Sequence, residues 1–346
     1  MNRLSGFRGR RTAGRRAARA MFGVVSVSAM ALGVAGMGAG AATADTVVDT
    51  VRVGTAPFGV AVSPDGSRAY VTNVVSDSVS VIDTAGNTVI DSIGVGDAPA
   101  GVAVSPNGSH VYVTNQLEDT VSVIETAGNT VIDTIEVGDT PVGVATTPDG
   151  LGVYVTNNGD DTVSVIETAD RTVVETIGVG NGPQYVAFTP NGSRAFVTNA
   201  LEDSVSVIET SENTLMNTIR VGDYPRGLAV TPDGLRVYVA NGGSDTVSVI
   251  DTATDTVAQT IPAEDFPWGL ALTPDGSRAY VTNLYDASVS VIDTATNSVV
   301  ERIRVGNYPY GVAVSPDGSP VYVVNHEAST VSVIADGTCF GSFCTS

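Results

Sequence analysis

Groups that could perform acid–base catalysis are scarce in this sequence. The chain has two histidines and no lysine. His326 lies beside Glu327, and these two residues together with Glu264 could supply an acid and a base. No serine or cysteine nucleophile with a partnered histidine is visible, which argues against covalent catalysis. The scarcity of histidine and thiol argues against a transition-metal site, and carboxylates alone would hold at most calcium or magnesium. We predict no metal site and no bound cofactor.

Aromatic side chains that could bind a ligand recur at one place in a repeated motif. Every 42 residues the sequence carries Pro-x-Gly, or Pro-Gln-Tyr in one case, and the residues before and after the proline vary. The large residues at these positions, with one tyrosine from an adjoining loop, are Phe58, Tyr224, Arg226, Phe266, Trp268, Tyr285, Tyr308 and Tyr310. The other units have mostly alanine, valine, threonine, glycine and glutamine there. Aromatic residues grouped with one arginine are typical of a binding hot spot, so we predict a ligand-binding site.

A repeat of constant length must position these residues. The motif Tyr-Val-Thr-Asn at residues 70–73 returns with minor variations at steps of 42 residues, without any insertion. The later copies begin at Tyr112, Tyr154, Phe196, Tyr238, Tyr280 and Tyr322. A constant period of this size, carried by short β-branched segments, is typical of a repeat architecture.

Each unit has the pattern of four short strands joined by tight turns. In the first unit the strand-like segments are residues 58–63, 68–73, 78–83 and 87–95. Ser-Pro-Asp-Gly at residues 63–66 favours a type I turn. Strands this short with such turns can pair only as an antiparallel meander. The inner strands are small or apolar on both sides, which predicts two buried faces, whereas the fourth strand alternates and is predicted to be the exposed outer one.

The number of strands predicts a closed ring. One strand-like segment, residues 47–53, precedes the first unit, and the last unit lacks its fourth strand. The N-terminal strand can therefore join the last blade and remove both open ends. We predict an all-β fold, a seven-bladed β-propeller of four-stranded antiparallel blades over residues 45–335. The Pro-x-Gly junctions then lie at one mouth of the central channel, where their bulky side chains either bind a ligand or simply fill one side of the channel.

The repeated sequences resemble a known family. The Tyr-Val-Thr-Asn core, the Ser-Pro-Asp-Gly turn and the Val-Ser-Val-Ile-Asp-Thr strand are similar to those of the YVTN-type β-propeller repeat proteins of bacterial and archaeal surfaces, over residues 46–335. A WD40 propeller would need Gly-His and Trp-Asp pairs in each unit, and this chain has one tryptophan and two histidines. The resemblance implies an exported or surface-displayed module. Relatives use similar propellers as lactonases, as lyases or as scaffolds beside redox cofactors.

Two polar positions shared by most units are best explained by packing. An asparagine ends each second strand, from Asn73 to Asn325, and we predict that its amide bonds neighbouring backbone. An aspartate that precedes the third strand in five units predicts a turn-forming side chain. These residues are Asp77, Asp119, Asp161, Asp203 and Asp245. No unit has the alternating oxygen ligands of a calcium loop.

Both ends of the chain have features of an exported protein. Residues 1–44 join an arginine-rich segment to an apolar one and end at a small-residue cleavage site, which predicts an export signal. An uncleaved anchor is the alternative, because residues 21–44 are long enough to span a bilayer. In the tail, residues 336–346, Cys339 and Cys344 are predicted to form a local disulfide in an oxidising compartment.

The charge distribution excludes some partners. The net charge is −20, but the first 44 residues contain seven arginines and no acid, so the remainder has 10 arginines against 37 acids, or −27. Such a surface repels nucleic acid and anionic lipid, and we expect no membrane contact beyond the signal segment. Three hypotheses remain for a secreted or extracytoplasmic monomer: binding of a protein or glycan partner at the channel mouth, a lyase or lactonase acting there, or a purely structural envelope component.

Overall fold

A computed structural model describes residues 44–336, which include the whole repeat region. The predicted export signal, apart from its last residue, and the predicted disulfide between Cys339 and Cys344 lie outside the described residues. Within the described range every regular element is a β-strand, and no helix that could cross a membrane is found.

The 28 strands of this range form seven sheets, each with four strands. The first three blades are β2 (Pro57–Val62), β3 (Arg68–Asn73), β4 (Ser78–Asp83) and β5 (Thr88–Gly94); β6 (Pro99–Val104), β7 (His110–Asn115), β8 (Thr120–Glu125) and β9 (Thr130–Glu136); and β10 (Pro141–Thr146), β11 (Gly152–Asn157), β12 (Thr162–Glu167) and β13 (Thr172–Gly178). Blades four and five are β14 (Pro183–Phe188), β15 (Arg194–Asn199), β16 (Ser204–Glu209) and β17 (Thr214–Arg220); and β18 (Pro225–Val230), β19 (Arg236–Asn241), β20 (Thr246–Asp251) and β21 (Thr256–Pro262). Blade six is β22 (Pro267–Leu272), β23 (Arg278–Asn283), β24 (Ser288–Asp293) and β25 (Ser298–Arg304), and blade seven is β26 (Pro309–Val314), β27 (Val321–Asn325), β28 (Thr330–Asp336) and β1 (Asp45–Arg52).

The N-terminal strand closes the ring, as predicted. β1 pairs antiparallel with β28, with Val51 opposite Val331, and completes the sheet of blade seven. The carboxylate of Asp45 also accepts hydrogen bonds from Arg278 Nη1 at 3.0 Å and from the Tyr280 hydroxyl at 2.8 Å, both in blade six. Burial, together with this bond to Asp45, raises the pKa of Tyr280. The first strand is therefore joined both to its own blade and to the preceding one.

The four strands of each blade differ in burial, as blade one shows. β3 and β4 are almost wholly buried, because neighbouring blades cover both of their faces. β5 is exposed except for Ile93, as predicted for an outer strand. The prediction was wrong for β2, since Val60, Ala61 and Val62 are only half-buried. β2 is the edge strand of its sheet, and its free edge borders the central channel, where no further strand of the described range covers it.

Glycine at the end of the Pro-x-Gly motif lets adjacent blades pack backbone to backbone. A Cβ atom built on Gly143 or Gly269 would lie 2.3 Å from the carbonyl oxygen of the x residue in the next blade. Blade four has Tyr185 at this position. Its N–H donates to Thr198 Oγ1 at 3.1 Å, so the hydrogen-bonding pattern survives the change. The ring therefore accommodates one side chain at this position, between blades four and five.

The asparagine that ends each second strand is a structural residue. Asn157 is fully buried, and its Nδ2 donates to Thr162 Oγ1 and Ser164 Oγ, both at 2.9 Å. Its main partners are thus hydroxyl groups of the third strand and not the neighbouring backbone that we predicted. The reason is that the third strand places two hydroxyl side chains opposite the amide. In blade one, Asn73 additionally reaches the backbone oxygen of Ser78 at 3.3 Å.

Replacing Asn157 by alanine is expected to lower the free energy of unfolding by about 1 to 3 kcal/mol, because the buried Ser164 hydroxyl and the part-buried Thr162 hydroxyl lose their donor. Denaturant unfolding of the Asn157→Ala variant measures this loss. The Asn158→Ala variant is the matched control, because Asn158 is only part-buried and follows directly in the sequence. Equal midpoints for the parent and the Asn157 variant would contradict a structural role.

The aspartate that precedes the third strand in blades one to five connects two blades. Asp77 has a left-handed backbone conformation (φ 47°), as predicted for a turn residue. Its Oδ1 also accepts the backbone N–H of Ala98, which precedes the next proline, at 3.0 Å. The same bond to the next blade is made by Asp119, Asp161, Asp203 and Asp245. These carboxylates therefore fix the loops at the channel mouth.

The turn between the first two strands of a blade makes stability sensitive to acid. The hydroxyl groups of Ser63 and Ser67 and the Ser67 N–H donate to Asp65, and these bonds, with Ser63 first, lower the pKa of Asp65 from 3.8 to about 2. A carboxyl group whose pKa is lower in the folded state than in the unfolded state stabilises the fold at pH values above the unfolded-state pKa. This stabilisation is lost as the pH falls through the folded-state pKa. The pKa is lowered in the same way in Asp149, Asp233 and Asp275, where a threonine hydroxyl is the first cause.

We expect the melting temperature of the parent to fall as the pH is lowered from 5 to 2, and to fall less in a variant with all four aspartates changed to asparagine. Blades two and four already have Asn107 and Asn191 at this position, and each accepts a hydroxyl at 2.8 Å. Replacing aspartate by asparagine therefore keeps the turn but removes the carboxyl group that titrates. Identical pH profiles for the parent and the variant would show that these turns do not contribute to acid sensitivity.

Candidate functional site at the channel mouth

One mouth of the channel is formed by seven copies of the same loop. In every blade the residue before the proline has a left-handed backbone, including Tyr224 (φ 55°), Phe266 (φ 56°) and Tyr308 (φ 51°). Asp203 and Asp245 each accept one of these N–H groups, those of Tyr224 and Phe266, at 2.9 Å. Bulky residues seldom adopt this conformation. Three large rings are thus held where the backbone favours small residues, which suggests a role beyond folding.

The residues after the prolines form an inner tier, consisting of Phe58, Arg226, Trp268 and Tyr310. The ring of Trp268 lies 4.8 Å from that of Tyr310 and 6.2 Å from that of Phe58, both in edge-to-face orientation. The rings of Phe58 and Tyr310 are 5.0 Å apart. Trp268 is only 8% exposed. The rings of the inner tier therefore pack against one another on one side of the channel.

The side chain of Arg226 lies buried against the aromatic rings of Tyr224 and Trp268. It is 7% exposed, and its guanidinium carbon lies 3.9 Å from the ring centre of Tyr224 and 4.1 Å from that of Trp268. Nη1 donates to Gln184 Oε1 at 2.5 Å. Burial lowers the pKa of Arg226. No carboxylate within residues 44–336 forms an ion pair with it.

A second set of rings, the outer row, continues from the inner tier to the surface. It consists of Tyr224, Phe266, Tyr285 and Tyr308. Phe266 lies 6.0 Å from Tyr224 and 5.1 Å from Tyr285, and the rings of Tyr285 and Tyr308 are 6.0 Å apart. Phe266 also stacks on Trp268 of the inner tier at 5.9 Å. The eight residues predicted from the sequence are thus brought together, and we call the two tiers the aromatic arc.

The three weak catalytic candidates are not assembled into an acid–base pair. His326 Nδ1 lies 3.1 Å from the carbonyl oxygen of Pro57, which can only accept, so this nitrogen carries the proton. Glu264 is paired with Arg302, and Glu327 accepts from Asn307 Nδ2 at 3.2 Å. Within the described residues no hydrogen bond joins the histidine to either glutamate. These contacts favour structural roles for all three.

Acidic and histidine residues do not cluster elsewhere in the described range. Between residues 44 and 336 no group of three or more His, Cys, Asp or Glu side chains could hold a metal ion. Asp286 shares Arg302 with Glu264, at 2.8 Å, and also accepts the N–H of Asp265 at 3.2 Å. The carboxylates beside the aromatic arc are therefore engaged with cationic and backbone donors.

Two residues of blade four belong to this site and were not predicted. Gln184 is 7% exposed and holds Arg226, whereas the sequence analysis grouped it with the alanine, valine, threonine and glycine residues outside the predicted site. Tyr185 borders a cavity of about 110 Å³ in the channel, together with Phe58. Burial raises the pKa of Tyr185. The departure from Pro-x-Gly at this point was visible in the sequence and could have indicated an altered channel wall.

Exposed apolar residues extend the mouth around the ring. The loop position occupied by Tyr285 in blade six holds Val75, Leu117 and Leu201 in blades one, two and four. These three side chains are 66%, 76% and 68% exposed. Their 42-residue spacing was readable in the sequence, but only the ring geometry shows that they lie on the same face as the arc. They offer matched control positions for the aromatic residues.

Comparisons with known proteins agree with this architecture. The family model of the YNCE-like beta-propeller matches residues 186–282, and that of the seven-bladed beta-propeller lactonase matches residues 141–221. No curated protein matches the chain. Among solved structures, a chain of Kuenenia stuttgartiensis hydrazine synthase is 27% identical and has a TM-score of 0.76, over 82% of this chain and 96% of its own. The chain is therefore a β-propeller repeat protein, built as a closed ring of seven four-stranded blades.

Proposed function

We propose that this protein is a binding propeller that engages a partner through the aromatic arc. The observation that carries the proposal is the outer row, which leads from the buried inner tier to two neighbouring exposed rings. Tyr285 is 56% exposed and Tyr308 is 41% exposed. Large aromatic side chains exposed next to each other, over a packed base, are typical of a contact surface for a ligand.

A glycan is the partner that the outer row fits best. Aromatic faces pack against the C–H faces of sugar rings, and neighbouring carboxylate and amide groups can bond sugar hydroxyls. Asp286 and Asn307 stand next to the exposed tyrosines in sequence and are positioned by Arg302 and Glu327. A protein interface needs about 800 Å² from each partner, which is more than two exposed rings supply. A protein partner is therefore the alternative that the test must separate.

The purified chain from residue 45 onward is expected to bind members of a printed array of bacterial neutral and acidic glycans, and the Tyr285→Ala/Tyr308→Ala double variant is expected to lose these signals. Both side chains are exposed, so thermal unfolding should change by less than about 1 kcal/mol. If the array gives no signals, and one purified envelope protein binds the parent but not the double variant, the partner is a protein and not a glycan. Signals that persist in the variant would remove the site.

A lyase or lactonase acting at the channel mouth is the second candidate. The lactonase family model favours it, but the matched residues 141–221 form blades three and four. The candidates His326 and Glu327 lie in blade seven, and Glu264 lies in the loop that leads into blade six. This candidate predicts hydrolysis of a lactone or cyclic ester that disappears in the His326→Ala variant. Absence of any such turnover in the parent would leave the binding role.

We also propose that the protein works outside the cytoplasm, as a secreted or envelope-associated monomer. The arginine-rich and apolar segments of residues 1–44 support this proposal. N-terminal sequencing of the protein recovered from the culture medium or envelope is expected to begin at Asp45. An intact N-terminus in a membrane fraction would favour the anchor instead. A purely structural envelope component would show the same export but no ligand.

A further inference from the structure

Within residues 44–336, the charge of Arg226 has no carboxylate counter-ion. A buried cation is ordinarily paired, because its desolvation is costly. Arg194 follows this rule, since its guanidinium binds both carboxylate oxygens of Asp255, at 2.5 and 2.6 Å, and the Thr252 carbonyl at 2.7 Å. Arg226 is 7% exposed and, within residues 44–336, its hydrogen bond goes to the neutral amide of Gln184.

The unused donors of Arg226 lie on one edge of the guanidinium. Nη1 is taken by Gln184, whereas Nε is enclosed and has no partner among the described residues. Nη2 has no acceptor of good geometry within residues 44–336, although a side-chain hydrogen bond with Tyr224 raises the Arg226 pKa against the effect of burial. Nε and Nη2 form the edge that binds the two oxygens of a carboxylate in parallel. The orientation of the group is fixed by Gln184 and by the rings on its two faces.

A second enclosed donor belongs to the indole ring that packs against the guanidinium. The indole Nε1 of Trp268 is enclosed and has no hydrogen-bond partner of good geometry within residues 44–336, although a weak hydrogen bond from Trp268 lowers the pKa of Tyr185 against the effect of burial. The indole ring centre is 4.1 Å from the Arg226 guanidinium carbon. Most buried N–H groups in proteins are paired, so Arg226 Nε and Trp268 Nε1, which have no partner of good geometry within residues 44–336, require an explanation. An oxyanion satisfies both, because each of its oxygens accepts more than one hydrogen bond.

We propose that Arg226, with the Trp268 indole beside it, receives the carboxylate of an acidic sugar. The inference deepens the proposed function and rests on it for the glycan, whose sugar rings would lie on the outer row. The surrounding chain carries a net charge of −27 after residue 44, so one buried arginine at the mouth selects a carboxylate at a defined position and does not attract anions in general.

The chain provides its own reporter for this proposal, because Trp268 is its single tryptophan. D-glucuronate is expected to change the tryptophan fluorescence of the parent saturably, whereas D-glucose and an equal concentration of sodium chloride are not. The Arg226→Gln variant should bind D-glucuronate at least about tenfold more weakly, since hydrogen bonds to a charged group are lost. The Arg226→Lys variant should be weak as well, because it keeps the charge but lacks the planar edge.

The matched control is Arg220→Gln, the same change at an exposed position of β17, which should leave the titration unchanged. An equal response of the parent to D-glucose or to chloride, or an unaltered response of a folded Arg226→Gln variant, would overturn the inference. If that variant does not fold, the comparison of D-glucuronate with D-glucose in the parent decides. Glycan signals that need Tyr285 and Tyr308 but show no preference for uronates would end this inference and leave the proposed function intact.

Discussion

Removal of residues 45–54 is expected to lower the free energy of unfolding by roughly 5 kcal/mol or more, because four valines of this segment lose partly or fully buried surface. These residues, Val47, Val48, Val51 and Val53, pack into the clusters on both sides of blade seven. The deletion also exposes the edge of β28 and leaves Arg278 and Tyr280 without the Asp45 carboxylate.

The comparison requires two proteins, one that begins at residue 45 and one that begins at residue 55. Both lack the predicted export signal, so their difference isolates β1. Thermal and denaturant unfolding of the two should differ strongly, and the shorter protein should associate more readily through its open edge. Coinciding unfolding curves would show that closure by β1 does not stabilise the ring.

Changing Gly143 to valine is expected to cost about 3 kcal/mol or to prevent folding, because its Cβ would lie 2.3 Å from the Gln184 carbonyl oxygen. A backbone atom of the next blade cannot move aside as a flexible side chain can. The strain would therefore have to be distributed over the packing of two blades.

The matched control is Gly94→Val in an outer strand, where an added Cβ meets nothing within 4 Å. Valine is a good strand residue, so this control should be neutral or slightly stabilising. The Tyr185→Gly variant tests the converse, since it restores the motif in blade four and should fold normally. Equal stability of the Gly143 and Gly94 variants would contradict the account of blade packing.

The fold could be predicted because the sequence repeats without interruption. A constant step of 42 residues makes every unit equivalent, and the surplus strand at one end matches the missing strand at the other. Closure into a ring then brings together positions that are far apart in the chain, such as Phe58 and Tyr310, whose rings are 5.0 Å apart. The repeat and the closure of the ring were therefore sufficient to predict which residues form the aromatic arc.

The contacts between blades could not be predicted from the pattern. Asp77 was recognised as a turn residue, but its bond to Ala98 depends on how two blades are rotated relative to each other. Gln184 was left out of the predicted site because its role depends on Arg226, in the next blade. Nor could the sequence divide the arc into a buried tier and an exposed row, since burial depends on the width of the channel.

The most direct test of the account is the affinity of the strongest array glycan for three proteins, measured by calorimetry. These are the parent, Tyr285→Ala/Tyr308→Ala, and Leu117→Ala/Thr140→Ala, which changes the same two loop positions in blades two and three. The account predicts that the tyrosine variant binds at least about 30-fold more weakly, as expected for loss of about 2 kcal/mol at a hot spot, and that the control binds like the parent. Equal affinities for all three proteins would show that the aromatic arc is not the binding site.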